Sequence, residues 1–131
     1  MIVLDASVVL ELLLNTAAGR SVANRIQRPE ESLHVPHLLD VEVAQVLRRY
    51  VQHGVLSAER GRQSLTYLRQ LDVTRYAHEA LLQRMWALRE NLTAYDAAYV
   101  ALAEVLNAPL LTRDAKLAAA PGVQARVELV G

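Results

Sequence analysis

The chain has no cysteine among its 131 residues. Without thiols it can form neither a disulfide framework nor a thiolate zinc site, and nothing favours an oxidising compartment. It also has no excess of either charge, since 14 basic residues balance 14 acidic ones. A strongly basic balance would have favoured nucleic-acid binding, whereas a net charge of zero neither supports nor excludes it.

The sequence also lacks a basic leader segment and an uninterrupted apolar run of membrane-spanning length. Its apolar start, MIVLDASVVLELLL, is broken by Asp5 and Glu11. We therefore predict neither a signal peptide nor a membrane span, and we expect a cytoplasmic protein. No repeat or linker divides the chain. With 53% hydrophobic and 21% charged residues, residues 1–131 are predicted to form one globular domain.

Short apolar runs alternate with helical patterns along the chain. The runs at 2–5, 33–35, 72–75 and 109–112 predict strands, and a last element lies within 123–130. Helices are predicted at 6–14, 19–28, 37–53, 57–71, 77–90, 93–106 and 114–120. Gly54 is expected to end the third helix in a left-handed conformation. The alternation predicts an α/β fold with a mainly parallel sheet covered by helices on both faces.

Two acidic residues follow predicted strands. Asp5 ends the first strand, and Asp114 comes two residues after Thr112, which ends another. Ligands of open α/β sheets bind outside the carboxyl ends of the strands, so both positions suit a functional site. The alternative role is structural, because an aspartate at a strand-to-helix junction is a favoured helix N-cap.

Two further acids are predicted to lie on the inner sides of helices. Glu42 shares an apolar stripe with Leu38 and Val46, and its structural alternative is a glutamate at the rim of a largely apolar helix. Asp96 also faces inward. However, Thr93-Ala-Tyr-Asp96 matches a capping box, in which Asp96 would only bond back to the start of its helix.

Taken together, the four acids suggest a site for a divalent cation, which none of them indicates alone. If they converge, two unit charges about 4 Å apart at an effective dielectric of about 20 repel by about 4 kcal/mol. Either the pKa values of some carboxyls rise, or a cation occupies the cluster. A set of oxygen ligands without cysteine suits Mg²⁺ or Mn²⁺. Such ions activate water and stabilise phosphodiester displacement.

Three segments carry a resemblance to a known family: LDASVVLELL, HLLDVEVAQVLRR and LTAYDAAYVALAEVLNAPLLTRDAKLA. Over essentially its whole length the chain resembles PIN-domain ribonucleases, and more narrowly the VapC toxins of VapBC toxin–antitoxin pairs. The resemblance implies a three-layer α/β/α sandwich with about five short strands. It also implies an endoribonuclease toxin that hydrolyses RNA by attack of metal-activated water, a cognate VapB-like antitoxin, and a homodimer.

By this resemblance, the acidic set of the family falls on Asp5, Glu42, Asp96 and Asp114. Asp5 and Asp96 would be the principal ligands of Mg²⁺ or Mn²⁺. Glu42 and Asp114 would complete the site directly or through water. The four residues would together form the catalytic set, and no organic cofactor is expected.

The same resemblance assigns supporting roles. Ser7 and Thr112 match polar positions that support the acids, although both are equally well explained as cap and turn hydroxyls. Arg113 is a possible contact to substrate phosphate, with a solvent-facing arginine as the alternative. One position departs from the family, because Lys116 stands where many relatives carry a further acid. We therefore expect one well-occupied ion, with any second recruited by RNA phosphate.

Two other functions compete with this interpretation. A non-catalytic PIN-like module that only binds RNA or protein is favoured by Lys116 and opposed by the presence of all four acids. A receiver-type signalling domain would need adjacent acids after the first strand and an aspartate after the third. Asp5-Ala-Ser7 and Asp72-Val-Thr supply neither.

The histidines and aromatic residues are assigned mainly to packing. His34 and His37 could serve as metal ligands or a general base, but packed or exposed side chains are the commoner role. Trp86 lies at core spacing. Tyr95 and Tyr99 are expected to pack between helices, with stacking on a nucleic-acid base as the alternative.

Overall fold

Five short strands form one sheet in which every neighbouring pair is parallel. The computed structural model describes residues 1–131. Its strands are β1 (Ile2–Leu4), β2 (Leu33–Pro36), β3 (Val73–Tyr76), β4 (Leu110–Thr112) and β5 (Val127–Leu129). Their spatial order is β3-β2-β1-β4-β5, so the first strand lies at the centre. The predicted α/β fold with about five short parallel strands is confirmed.

Helices cover both faces of this sheet. They are α1 (Ala6–Leu14), α2 (Ala17–Ile26), α3 (Leu38–Gln52), α4 (Ala58–Gln70), α5 (Leu82–Ala87), α6 (Ala94–Leu106) and α7 (Ala115–Ala118). The connections from β1 to β2 and from β2 to β3 step across the sheet in one direction, and the later ones step in the other. Because such crossovers are right-handed, α1 to α4 lie on one face and α5 to α7 on the other. This is the expected α/β/α sandwich.

The core is centred on β1, β4 and α6. All three residues of β1 and of β4 are buried, as is typical of parallel strands covered on both faces. In α6, every residue from Ala97 to Ala103 is buried. Four of these seven residues are alanine, whose small side chain allows the helix to lie close against the sheet. The first turn of α6 is thereby held beside the ends of β1 and β4.

The helix predicted at 77–90 is wrong in extent. Only a 3-10 turn at Glu79–Leu81 and the six residues of α5 are helical. Leu81 and Leu88 are buried on either side of α5, whereas no residue within α5 itself is buried. The expected core role of Trp86 is also wrong: its side chain is 69% exposed, with the guanidinium of Arg89 stacked over its ring.

Other boundaries agree closely with the predictions. α1 spans the predicted residues, and α2 begins two residues early because the Thr16 hydroxyl accepts a hydrogen bond from the Gly19 amide. Gly54 follows α3 with a φ of 74°, as expected. None of the seven helices combines the length and the apolar composition needed to cross a bilayer.

Candidate active site

Asp5 lies at the carboxyl end of the central strand and is almost completely enclosed, with 6% of its surface exposed. Its Oδ1 accepts hydrogen bonds from the Ser7 hydroxyl at 2.6 Å and from the Val8 amide at 3.1 Å. Its Oδ2 accepts one from the Thr112 hydroxyl at 2.5 Å. The N-cap role considered for Asp5 is therefore real, and it explains how a carboxylate is accommodated in an apolar run.

Ser7 and Thr112 connect Asp5 to the chain that follows β4. The Ser7 hydroxyl accepts a hydrogen bond from the Arg113 amide at 3.1 Å, and the Thr112 hydroxyl accepts one from the Asp114 amide at 3.0 Å. A carboxylate has about four acceptor positions, of which these donors and the Val8 amide fill three. Asp5 therefore keeps one position, on Oδ2, for a further partner.

Glu42 is bound by Tyr99, which was expected to pack between helices, with stacking on a nucleic-acid base as the alternative. The Tyr99 hydroxyl donates to Glu42 Oε1 at 2.5 Å, and the tyrosine itself is 1% exposed. Glu42 is half-buried on α3, on the apolar stripe where it was predicted. A spacing of three residues from Asp96 on one helix was the available signal for Tyr99, because residues i and i+3 share a helix face.

Asp96 and Asp114 also occupy helix starts. The Thr93 hydroxyl accepts a hydrogen bond from the Asp96 amide at 3.2 Å, as the first half of a capping box requires. The Asp96 side chain is itself half-buried. Asp114 caps α7 by accepting a hydrogen bond from the Lys116 amide at 2.9 Å. The side chain of Lys116 is exposed.

The pKa values show that the acids lie within each other's electrostatic field. Burial raises the pKa of Asp5, against the opposing effect of its hydroxyl donors. Burial also raises the pKa of Glu42, assisted by the negative charges of Asp96 and Asp5 and opposed by the Tyr99 hydroxyl. The pKa of Asp96 is raised first by burial and then by the charges of Asp114 and Asp5. A nearby cation would relieve this accumulation of charge.

The donor set fits a hard divalent cation, with one restriction. Only carboxylate oxygens are offered, which suits Mg²⁺ or Mn²⁺. No three acidic or histidine side chains lie close enough together to hold one ion between them. Mg²⁺ is usually held by one or two carboxylates and otherwise by water and substrate phosphate, so a three-carboxylate cage is not required. The roles of the four acids as ligands stay predictions.

A cleft of about 650 Å³ opens beside the acids between α1 and α3. Twelve residues line it, including Ser7 and Glu42. Its six apolar lining residues are Ala6, Leu10, Val41, Val46, Tyr50 and Tyr95. The Arg113 guanidinium, also on the wall, is paired with Glu11, whose other oxygen accepts a hydrogen bond from Thr16. A substrate contact by Arg113 therefore stays a prediction.

The two histidines considered as ligands lie outside this group. His34 is buried, and its ring nitrogens bond to the Ser32 hydroxyl and the Tyr76 hydroxyl, both at 2.7 Å. His37 is exposed, with its ring 6.5 Å from that of His78. Each side chain thus has one of the ordinary roles expected for it.

Comparison with known proteins defines the class to which this fold and site belong. Residues 2–123 match the family model of the PIN domain, and the chain belongs to this family. Within it, the chain is 46% identical over 130 residues to Ribonuclease VapC9 of Mycobacterium tuberculosis, strain ATCC 25618 / H37Rv. The alignment covers 99% of this chain and 98% of that protein.

Solved structures show the same fold. VapBC2 from Rickettsia felis, bound to a DNA fragment from its promoter, superposes with a TM-score of 0.74 at 12% identity and full coverage of both chains. A toxin–antitoxin complex from Klebsiella pneumoniae gives a TM-score of 0.68 at 19% identity, covering 98% of this chain and 96% of that one. At these identities the likeness concerns the fold alone.

Proposed function

We propose that this protein is an endoribonuclease that acts as the toxin of a toxin–antitoxin pair. The observation that carries the proposal is the identity of 46% over almost the whole chain with a protein named as a VapC ribonuclease. The site is consistent with that activity, because Asp5, Glu42 and Asp96 have raised pKa values and Glu42 lines a cleft between α1 and α3. Perturbed acids in a cleft are typical of catalytic sites.

We further propose that the activity depends on Mg²⁺ or Mn²⁺. Asp5 and Asp96 would be the principal ligands, with Glu42 and Asp114 acting directly or through water. A divalent ion bound there would lower the pKa of a water molecule and neutralise charge on the scissile phosphate. The chain itself would orient the site: Ser7 and Thr112 hold Asp5, and the acids exclude other anions until a cation compensates them.

The walls of the cleft would contact the RNA. Arg113 is the candidate for a phosphate contact, because its backbone is tied through Ser7 to Asp5. Binding a phosphate would require the guanidinium to share or exchange its partner Glu11. Arginine suits this role because its planar fork binds two oxygens of one phosphate group.

The proposed partners follow from the surface of the cleft and from the relatives. The apolar half of the cleft lining offers a docking site for an antitoxin segment similar to VapB, and solved neighbours with this fold include toxin–antitoxin complexes. We also propose a homodimer, a cytoplasmic location where RNA is present, and a single PIN domain over residues 1–131. The sheet that extends from Ile2 to Leu129 supports the single domain.

The direct test measures cleavage of an RNA panel by purified protein. We expect cleavage with Mg²⁺ or Mn²⁺ and none with EDTA, and we expect Asp96→Asn to abolish cleavage while the protein stays folded. The matched control is Asp72→Asn, since Asp72 is an exposed acid outside the site. Full activity of Asp96→Asn, or equal loss in both variants, would contradict the assigned site.

One alternative function has specific support. The family resemblance leads us to expect a further acid at the position of Lys116, whose side chain is exposed. Lys116 is the one feature that favours a non-catalytic module that binds RNA or protein. The cleavage assay separates the two functions, because such a module would retain RNA in a filter-binding experiment without cutting any member of the panel under either metal.

A further inference from the structure

One buried side chain connects two of the acidic elements of the site. Tyr99 extends from α6, three residues after Asp96, and its hydroxyl donates to Glu42 Oε1 on α3 at 2.5 Å. Helices α6 and α3 lie on opposite faces of the sheet. The hydrogen bond therefore bridges the two helical layers at the edge where Asp5 ends the central strand. No other side chain donates a hydrogen bond to Glu42.

The chemistry of this bond goes beyond filling the core. A buried tyrosine hydroxyl needs a hydrogen-bond partner, and many neutral acceptors would satisfy it. Here the acceptor is a half-buried carboxylate, and a bond to a charged acceptor is shorter and stronger than a neutral one. The bond fixes the rotamer of a flexible glutamate. It uses one acceptor position of Oε1 and leaves Oε2 without a partner.

We propose that Tyr99 is a positioning residue of the metal site, which holds Glu42 so that its free Oε2 is directed to the ion or to a water bound by the ion. This inference rests on the proposed metal-dependent function. It assigns the tyrosine a role of the kind that outer-shell hydrogen-bond donors have in other metal sites, where their loss lowers metal affinity about 10- to 100-fold. One helix would then supply Asp96 as a ligand and also set the place of Glu42.

The test measures the dissociation constant of Mn²⁺ for the purified protein by titration calorimetry. Tyr99→Phe removes one oxygen atom and keeps the ring, and we expect it to raise the dissociation constant about 10- to 100-fold. The matched control is Tyr76→Phe, which removes a tyrosine hydroxyl bonded to His34, away from the acids. We expect that variant to bind Mn²⁺ within about twofold of the wild type, as distant independent sites do.

A double-mutant cycle with Glu42→Gln shows whether Tyr99 acts through Glu42. If it does, adding Tyr99→Phe to Glu42→Gln weakens Mn²⁺ binding no further. Additive losses would overturn the proposal, as would a Tyr99→Phe variant that melts earlier but binds Mn²⁺ like the wild type. If the wild type itself binds no Mn²⁺, the proposed metal dependence fails and this inference fails with it. If the wild type binds Mn²⁺ and Tyr99→Phe binds it equally, this inference alone fails.

Discussion

The hydroxyl of Thr112 provides the sharpest test of how the central carboxylate is held. Thr112 is completely buried, and its hydroxyl donates to Asp5 Oδ2 at 2.5 Å while accepting from the Asp114 amide at 3.0 Å. The change Thr112→Val replaces the hydroxyl by a methyl group of nearly the same size. It therefore removes two hydrogen bonds with little change of packing volume, and its effect on stability reports on those bonds.

The expected loss follows from the two bonds. A hydrogen bond to a charged group contributes about 1.5–3 kcal/mol, and the Asp5 carboxylate is too enclosed for water to replace the lost donor fully. The amide of Asp114 is less enclosed, so losing its acceptor adds about 0.5–1 kcal/mol. The free energy of unfolding should therefore fall by about 2–4 kcal/mol, which corresponds to a Tm lower by about 6–20 °C in a chain of this size.

The assay is urea unfolding followed by circular dichroism in metal-free buffer, with Thr74→Val as the matched control. Thr74 is exposed on β3, so its replacement should change the free energy of unfolding by less than about 0.5 kcal/mol. Comparison at two pH values adds a second check. The Thr112 hydroxyl lowers the pKa of Asp5, so the variant should have an even higher folded-state pKa.

The sign of the pH effect follows from that pKa. A folded-state pKa above the ordinary value of 3.8 means that the folded state binds the proton more tightly, so this stabilising contribution is present at low pH and lost as the pH rises through the folded-state pKa. Thr112→Val should lose more of this contribution than the wild type, so the difference in free energy of unfolding between the two proteins should grow from about pH 4 to about pH 7.5. A deficit below about 0.5 kcal/mol at both pH values would refute the reasoning.

Two further predictions concern charge. Burial and neighbouring acids raise the pKa of Asp96, so Asp96→Asn should be more stable than the wild type at neutral pH in EDTA. The difference in stability should vanish below about pH 4. Adding Mn²⁺ should raise the Tm of the wild type but not that of the variant. A lower Tm for the variant in EDTA would argue against repulsion among the acids. Arg113→Ala should lower kcat/KM for RNA and reduce the salt dependence of RNA binding by about one charge, while Arg126→Ala, at the other end of the sheet, should do neither. The ion pair between Arg113 and Glu11 is partly exposed, so Arg113→Ala should change the free energy of unfolding by less than about 1 kcal/mol. An unchanged salt dependence of RNA binding in Arg113→Ala would exclude the phosphate contact.

Most of the fold could be predicted from the sequence, because strands and helix ends are specified by residues that are close together in the chain. Apolar runs such as Ile-Val-Leu before Asp5 predict buried parallel strands, and Thr93 and Gly54 define helix ends through their own backbone preferences. The segment at 77–90 was predicted as one helix because Leu81, Met85 and Leu88 have helical spacing, and all three do contact the core, but only Glu79–Leu81 and Leu82–Ala87 are helical. Trp86 is a large apolar residue at a spacing typical of a helix core, but its exposure depends on tertiary contacts that the local sequence does not show.

The site could be predicted only in part, because some of its contacts join residues that are far apart in the chain. Local pattern places Asp5 and Asp114 after strands and Glu42 on an apolar stripe, and the structure agrees with each position. Local pattern could not show that Asp5 caps α1 through the Val8 amide while also binding the hydroxyl of Thr112, because Thr112 lies 107 positions away. The bond from Tyr99 to Glu42 joins residues 57 positions apart, so no local pattern contains it.

The central claim is that a divalent cation binds among these carboxylates, and anomalous diffraction from crystals grown with Mn²⁺ tests it most directly. The account predicts a peak of anomalous density within coordination distance of Asp5 Oδ2 and the Asp96 carboxylate, absent in crystals of Asp96→Asn. A structure at saturating Mn²⁺ with no peak near these oxygens, or with the same peak in the variant, would contradict it.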